Sequence, residues 1–180
     1  MFVERWSRRA LSSRALGDDT VASLLEAARW APSSSNSQPW LYIYADTEDT
    51  LGVARPVLTD GNRRWADKAP LLLFAFARRH DAKSGKPLAT ADFDTGASWM
   101  SLALQAHSLG LTAHAMLGFH QDKAYEVFGV PASEYHALAA IAVAYPGDAS
   151  ELPDDLKARE RPSDRKHVAE FAFRGRWHKP

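Results

Sequence analysis

Apolar residues recur at a helical spacing in the first part of the chain. Val21, Leu24 and Ala28 follow a repeat of three to four residues, which predicts an amphipathic helix over 19–30. The stretch 32–39 that follows is polar and bounded by prolines. It is predicted to be a loop, because a proline disfavours helical geometry in the residue before it.

The rest of the chain alternates between helical and strand-like patterns. Strands are predicted at 41–45, 70–77, 112–116 and 136–145, and helices at 47–55, 63–68, 94–109 and 122–128. The 70–77 run is apolar throughout, which predicts a strand that is buried on both faces. The 136–145 run fits a helix or a strand, and the prolines on either side favour the strand.

The longest predicted helix and the longest charged segment are neighbours. Helix 94–109 is apolar nearly all round, which predicts a central buried helix. The segment 78–93 is charged and contains Gly85 and Pro87, so it is predicted to be an exposed loop. Helices and strands are interleaved, which predicts an α+β fold in three layers, formed by a single domain over 1–180.

Composition excludes several classes of protein. The chain has 180 residues and no cysteine, which excludes disulfide scaffolds, thiolate metal sites and a cysteine nucleophile. The 22 Lys and Arg residues balance 22 Asp and Glu residues, which argues against a dedicated nucleic-acid binder. The longest apolar run, 71–77, is too short to span a membrane, and the N-terminus lacks a secretory pattern. We therefore expect a cytoplasmic protein.

The zero net charge conceals an uneven distribution. Residues 1–14 carry a net charge of +3, residues 157–180 carry +5, and the stretch between them carries −8. Composition alone favours two solvated basic tails. The second tail, however, carries the aromatic residues Phe171, Phe173 and Trp177. A solvated segment has no need of them, so we expect this tail to pack against another surface.

Three segments offer chemistry beyond charge. Arg5, Ser7 and Arg9 alternate, so an extended backbone would direct them to one side as a phosphate clamp, although a solvated basic arm is the commoner meaning. The loop 32–40 supplies uncharged donors and acceptors suited to a polar ligand edge, although serine-rich loops are often plain linkers. The segment 159–161 alone indicates a hydrophilic connector.

Familiar metal and nucleotide motifs are missing from the sequence. The seven histidines show no metalloprotease spacing, so no metal site is expected. The glycine fingerprint for dinucleotides, the P-loop and the nucleophile elbow of hydrolases are also missing.

The order of the motifs resembles that of the FMN-dependent nitroreductase family. Its members typically open with an Arg-x-Ser-x-Arg/Lys segment, followed by a helix and an APSxxNxQPW loop. Here these are RWSRR at 5–9 and APSSSNSQPW at 31–40. Further matches are Asn62, the 96–110 helix, the segment Leu117-Gly118-Phe119 and the basic pair at 159–161. The likeness covers about residues 5–177.

The resemblance implies a nitroreductase-like fold and a phosphate site. The fold would have a mostly antiparallel central sheet flanked by helices, with an extended C-terminal segment. Cationic and hydroxyl side chains from both ends would grip the FMN phosphate. They are Arg5, Ser7, Arg9, Arg159 and Arg161.

The resemblance also implies contacts to the flavin ring. Asn62 would hydrogen-bond the ring, and the backbone of Leu117 and Gly118 would approach its N5 and O4 atoms. The serine-rich loop would contact the flavin from the partner subunit of a homodimer. The loop residues concerned are Pro32, Ser33, Ser34 and Asn36.

The implied activity is that of an NAD(P)H-dependent oxidoreductase with FMN at the subunit interface. NADH or NADPH would reduce nitroaromatics, quinones or similar electron-poor acceptors through flavin N5, in two half-reactions. The hydride chemistry belongs to the flavin, so no catalytic side chain is named. Alternatives on the same fold are a flavin reductase, a dehalogenase or a dimeric scaffold without FMN.

Two features depart from the family pattern. Relatives often carry a basic residue three positions after the flavin-binding asparagine, where this chain has Trp65. We therefore expect the pyrimidine side of the flavin to be held differently. The segment 78–93 is shorter than the helical excursion of many relatives, which predicts a more open pocket or one that other aromatic residues close.

Overall fold

Four strands form an antiparallel sheet in the computed structural model, which describes residues 1–178. The strands are β1 (Trp40–Ala45), β2 (Leu71–Arg78), β3 (Thr112–Met116) and β4 (Tyr135–Ala144). Their order across the sheet is β1-β2-β4-β3, and each neighbouring pair is antiparallel. The strand β2 is therefore internal, with Phe74 opposite Ile43 of β1 and Ala140 of β4.

The strand β2 shows where the long apolar run is buried. Successive side chains of a strand point to opposite faces, and β2 is apolar on both. Leu71 and Leu73 enter one hydrophobic core, whereas Leu72 and Phe74 enter the other. All four side chains are almost inaccessible to solvent, which confirms the expected burial of this strand on both faces.

Helices cover both faces of this sheet. Within the described residues they are α1 (Asp18–Arg29), α2 (Glu48–Ala54), α3 (Asp60–Ala66), α4 (Ala91–Ser108), α5 (Gln121–Phe128) and α6 (Asp154–Lys157). Helices α1 and α4 pack together in the core that receives Leu71 and Leu73. Helices α2, α3 and α5 contribute to the core on the opposite face. The expected three-layer α+β fold is confirmed.

The longest helix, α4, begins earlier and is less enclosed than the sequence predicts. It starts at Ala91 rather than at residue 94, with Asp92 and Asp94 in its first turn, where carboxylates interact favourably with the helix dipole. One face packs on α1 and the sheet. On the other face, Phe93 is 80% and Met100 37% exposed. The expectation of a helix buried on all sides is therefore wrong for the single chain.

The other elements lie within a few residues of their predicted bounds. The strand interpretation of 136–145 is confirmed by β4. Helix α3 begins at Asp60, three residues earlier than predicted. The charged segment is shorter than 78–93, because Arg78 still belongs to β2 and α4 has begun by residue 91.

Beyond α6 the chain follows the surface up to residue 178. One 3₁₀ turn, Val168–Glu170, interrupts this segment. Phe171 is 63% and Trp177 is 74% exposed, so the packing expected for these two aromatic residues is not found within one chain. None of the described helices is long and apolar enough to cross a membrane.

Candidate functional site

Both ends of the chain meet at one polar cavity, here termed the arginine cavity. Ser7 and Arg9 of the N-terminal segment line it together with Arg159 and Arg161 of the segment after α6. Its volume is about 310 Å³, and its other lining residues are Trp6, His114, Ser163 and Arg165. The lining therefore holds four guanidinium groups and no carboxylate. This is the composition expected of an anion-binding site.

Glu160 and Gly147 hold the N-terminal segment beside this cavity. Both carboxylate oxygens of Glu160 accept the backbone N–H of Arg9 at 3.0 Å, and Oε1 also accepts the N–H of Ala10 at 3.0 Å. The N–H of Gly147 donates to the Ala10 carbonyl at 2.9 Å. A Cβ at Gly147 would lie 2.5 Å from the backbone of Leu11, so this close approach requires glycine.

The imidazole of His114, on β3, is a buried wall of the arginine cavity. Its Nδ1 lies 2.9 Å from the carbonyl oxygen of Arg8. Since a carbonyl only accepts, Nδ1 carries the hydrogen and Nε2 of a neutral ring is an acceptor. Burial lowers the pKa of His114, and the charges of Arg9 and Arg5 lower it further. The Arg8 carbonyl and Glu160 oppose this shift only in part, so the ring is neutral at pH 7.

The guanidinium of Arg9 lies among like charges. Burial lowers the pKa of Arg9, and the neighbouring charge of Arg159 lowers it further, whereas Glu160 raises it. Arginine nevertheless stays protonated at neutral pH. Cations that repel one another in a cavity without a lining carboxylate are stabilised when an anion enters.

Arg5 lies next to the arginine cavity rather than in its lining. It faces a smaller cavity of about 150 Å³, which Arg8 and His107 also line. Trp6 lines both cavities. Within the described residues, the buried Nε of Arg5 has no hydrogen-bond partner. The structure thus brings four of the five predicted phosphate ligands to one cavity and the fifth to an adjacent one.

A second cluster joins α3 to the turn after β3. The Nδ2 of Asn62 donates to the carbonyl oxygen of Gly118 at 2.9 Å, and the hydroxyl of Thr59 donates to the same oxygen at 3.0 Å. A Cβ at Gly118 would lie 2.3 Å from Asn62 Nδ2, so this arrangement of the Asn62 side chain requires glycine at 118. The Asn62 amide keeps a second hydrogen with which it can bind a ligand.

The backbone beside this cluster offers further donors. Among residues 1–178, the N–H groups of Leu117 and Gly118 donate to no protein acceptor. The Leu117 side chain is 81% exposed. It stands at an open cavity of about 760 Å³ whose lining comes largely from α5. Two N–H groups without a protein acceptor suit the polar edge of a flat ligand, and the exposed apolar side chain lies beside them.

Trp65 connects the two clusters, a role that the sequence does not reveal. Its side chain is buried, and its Nε1 donates to Asn62 Oδ1 at 3.3 Å. Its ring lies 4.5 Å from the His114 ring, centroid to centroid, and the Arg9 guanidinium lies 5.9 Å from the Trp65 centroid. The spacing of three positions from Asn62 on α3 is the one sequence signal for this contact. Its partners Arg9 and His114 are distant in the sequence.

The serine-rich loop is hydrogen-bonded to α4 and lies outside the lining of the arginine cavity. The buried carboxylate of Asp94 accepts the backbone N–H of Ser34 at 3.1 Å. Ser35, Asn36 and Gln38 have positive φ values of 51°, 54° and 45°, which are costly for residues other than glycine. Pro32, Ser34 and Asn36 are exposed and Ser33 is half-buried. None of the loop residues lines the arginine cavity.

Comparison with known proteins places the chain in a family. A model of the nitroreductase family matches residues 3–58 and 45–145. The chain belongs to the nitroreductase family. The family and the fold class that the sequence predicts are thereby confirmed.

Individual members of this family resemble the chain over most of its length. A crystal structure described as an oxidoreductase containing FMN is 42% identical, covers 99% of this chain and 92% of its own, and has a TM-score of 0.95. A Thermus thermophilus protein named NADH dehydrogenase is 26% identical and covers 81% of this chain and 85% of its own. An FMN complex from Exiguobacterium sibiricum, at 19% identity, covers 94% of this chain and 92% of its own with a TM-score of 0.76, and shows the shared fold.

The residues of this nitroreductase-family chain fit FMN. A phosphate monoester carries between one and two negative charges near neutral pH, and the arginine cavity offers guanidiniums and hydroxyls with no lining carboxylate. At the other cluster, Gly118 makes a close approach that a Cβ would block, and Asn62 and two backbone N–H groups lie beside it. Trp65 and His114 fill the space between the clusters.

Proposed function

We propose that this chain is an FMN-dependent oxidoreductase that uses NADH or NADPH to reduce nitroaromatic, quinone or similar electron-poor acceptors in two half-reactions. The broader class, an NAD(P)H-dependent oxidoreductase, is that of the nitroreductase-family relatives, and it agrees with the class that the sequence predicts. The observation that carries the proposal is the meeting of both chain ends at the arginine cavity.

In this proposal the arginine cavity holds the FMN phosphate. Arg9, Arg159 and Arg161 supply charge, and Ser7 supplies a hydroxyl. Arg5 contributes its charge from the adjacent cavity. Several cations are needed, because charge-assisted hydrogen bonds must offset the loss of hydration of the phosphate.

The second cluster receives the ring. Asn62 donates from its side-chain amide, and Leu117 and Gly118 donate from their backbone. Bound FMN supplies the hydride chemistry, while the protein supplies orientation and electrostatics. The open cavity beside Leu117 gives reductant and acceptor a place to approach.

We further propose that the active form is a homodimer of single-domain subunits, each formed by residues 1–180. The exposed apolar side chains of Phe93 and Met100 on α4, and the exposed Phe171 and Trp177, support this proposal, since exposed apolar patches are typical of protein–protein interfaces. Pro32, Ser33, Ser34 and Asn36 would then reach the flavin of the partner subunit, which agrees with their absence from the arginine cavity lining of their own chain.

Purified protein tests the proposed function. We expect a yellow protein whose flavin is released as FMN on denaturation. Anaerobic NADH or NADPH should bleach the flavin absorption, and a quinone or nitroaromatic should restore it. A colourless protein that takes up no added FMN would contradict the proposal.

A further inference from the structure

Glu160 is a carboxylate placed between two arginines of the arginine cavity. Arg159 and Arg161 line the cavity, whereas Glu160 does not. Its oxygens are hydrogen-bonded to the backbone N–H groups of Arg9 and Ala10, each at 3.0 Å. Glu160 thus binds the backbone of Arg9, whose side chain lines the cavity together with Arg159 and Arg161.

The carboxylate of Glu160 accepts hydrogen bonds from backbone N–H groups and not from guanidinium groups. Among residues 1–178 it forms no ion pair, although Arg159 and Arg161 are its chain neighbours and the Arg9 guanidinium is close enough for its pKa to respond to Glu160. A carboxylate paired with these arginines would compete with an incoming anion for the same donors. Bound to backbone N–H groups instead, it leaves the guanidiniums to a ligand.

The position of Glu160 also ties the two ends of the chain together across more than 140 residues of sequence. Hydrogen bonds from backbone N–H groups to a charged acceptor are stronger than those between neutral groups. Arg159 and Arg161 are exposed in the single chain, and α6, which precedes them, has only four residues. Leu156 anchors α6 in the core and Asp155 pairs with Arg64, whereas Glu160 forms the side-chain hydrogen bonds that join segment 159–161 directly to Arg9 and Ala10.

We propose that Glu160 is a positioning residue for phosphate binding: it aligns Arg9 with Arg159 and Arg161, although its own charge repels a phosphate. The inference rests on the proposed FMN function. It predicts a change in FMN affinity that is opposite to the change expected from the charge of Glu160 alone. Removing a negative charge near a phosphate should tighten binding if charge alone matters, and should weaken it if alignment matters.

The test uses Glu160→Gln and Glu160→Ala in the full-length chain, with the flavin removed and FMN titrated back. Glutamine keeps the shape but can offer one uncharged oxygen to the two N–H groups. We expect FMN affinity to fall about tenfold for Glu160→Gln and further for Glu160→Ala. Riboflavin, which lacks the phosphate, should bind each variant as it binds the unaltered chain.

Glu170→Gln is the matched control, because Glu170 lies in the same C-terminal segment and accepts a backbone N–H from His167 at 2.6 Å. It should bind FMN unchanged. FMN affinity that is equal or tighter in Glu160→Gln would overturn the proposal. A loss of riboflavin affinity equal to the loss of FMN affinity, or a large fall in the melting temperature of the apoprotein, would show a general structural role instead. Failure of the unaltered chain to bind FMN would instead contradict the proposed function.

Discussion

At the scale of single residues, the candidate site depends on side chains that bind backbone as well as on those available to a ligand. His114 binds the Arg8 carbonyl, Glu160 binds backbone N–H groups, and Asn62 binds the Gly118 carbonyl. Such contacts fix the cavity before a ligand arrives, and a preorganised site loses less entropy on binding. They join residues that are distant in the sequence, so one sequence does not predict them.

Replacing Gly118 with alanine should damage the ring-binding cluster. The new Cβ would lie 2.3 Å from Asn62 Nδ2 and 2.9 Å from Thr59 Oγ1, so these side chains must shift and lose their hydrogen bonds to the Gly118 carbonyl. We expect a loss of about 1–3 kcal/mol in the free energy of unfolding and a lower FMN content after purification. Chemical denaturation and the flavin-to-protein absorbance ratio measure the two effects.

Gly52→Ala is the control for Gly118→Ala. Gly52 lies within α2, and a Cβ there would meet nothing within 4 Å. Alanine in a helix is favoured over glycine by about 0.5–1 kcal/mol, so Gly52→Ala should stabilise the chain and leave FMN content unchanged. Equal effects of the two substitutions would contradict the close approach at Gly118.

His114 should make the chain less stable in mild acid. Burial lowers its pKa in the folded state below the ordinary value of 6.5, so the unfolded chain binds more protons and stability falls as the pH drops below that value. We expect His114→Asn to lose part of this fall between pH 7 and pH 5. Urea denaturation of the apoprotein at both pH values measures it, and an unchanged pH dependence would contradict a neutral, buried His114.

At the scale of elements, local patterns predicted most of the fold. The strand at 70–77 was predicted well because its apolar run and the flanking charges are local features. The start of α4 was not predicted correctly, because Thr90 and Ala91 follow a charged segment that carries no helical repeat. The exposed face of α4 was not predicted either, because the apolar residues of a helix do not show which of its faces the rest of the same chain covers.

The exposed face of α4 carries a test of the proposed homodimer. Met100→Glu should place a charge on that face, and a buried unpaired charge opposes association. We expect the variant to sediment as a monomer and to bind FMN about tenfold more weakly or worse, because each site would lose the partner's loop. Analytical ultracentrifugation and FMN titration measure these effects.

Val53→Glu is the control for Met100→Glu. Val53 is 53% exposed on α2, which covers the opposite face of the sheet. This variant should keep the association state and FMN affinity of the unaltered chain. A Met100→Glu variant that remains dimeric would contradict the assignment of this face to the interface.

At the scale of the whole molecule, the zero net charge is the sum of two basic ends and an acidic middle. Composition favours two solvated tails, and the motif order instead predicts a shared phosphate site. The structure brings residues 7–10 and 159–161 together at the arginine cavity. Residues 166–178 lie on the surface of the single chain.

The central claim is that the two ends of the chain form one phosphate site. Its most direct test measures the equilibrium affinity of the apoprotein for FMN and for riboflavin. The variants are Arg9→Ala, Arg161→Ala and the double variant. The control is Arg14→Ala, because Arg14 lies outside the arginine cavity. We predict that each single variant weakens FMN binding about tenfold or more, that the double variant weakens it further, and that riboflavin binding and Arg14→Ala are unaffected. Unchanged FMN affinity in the double variant, with the fold intact, would contradict the claim.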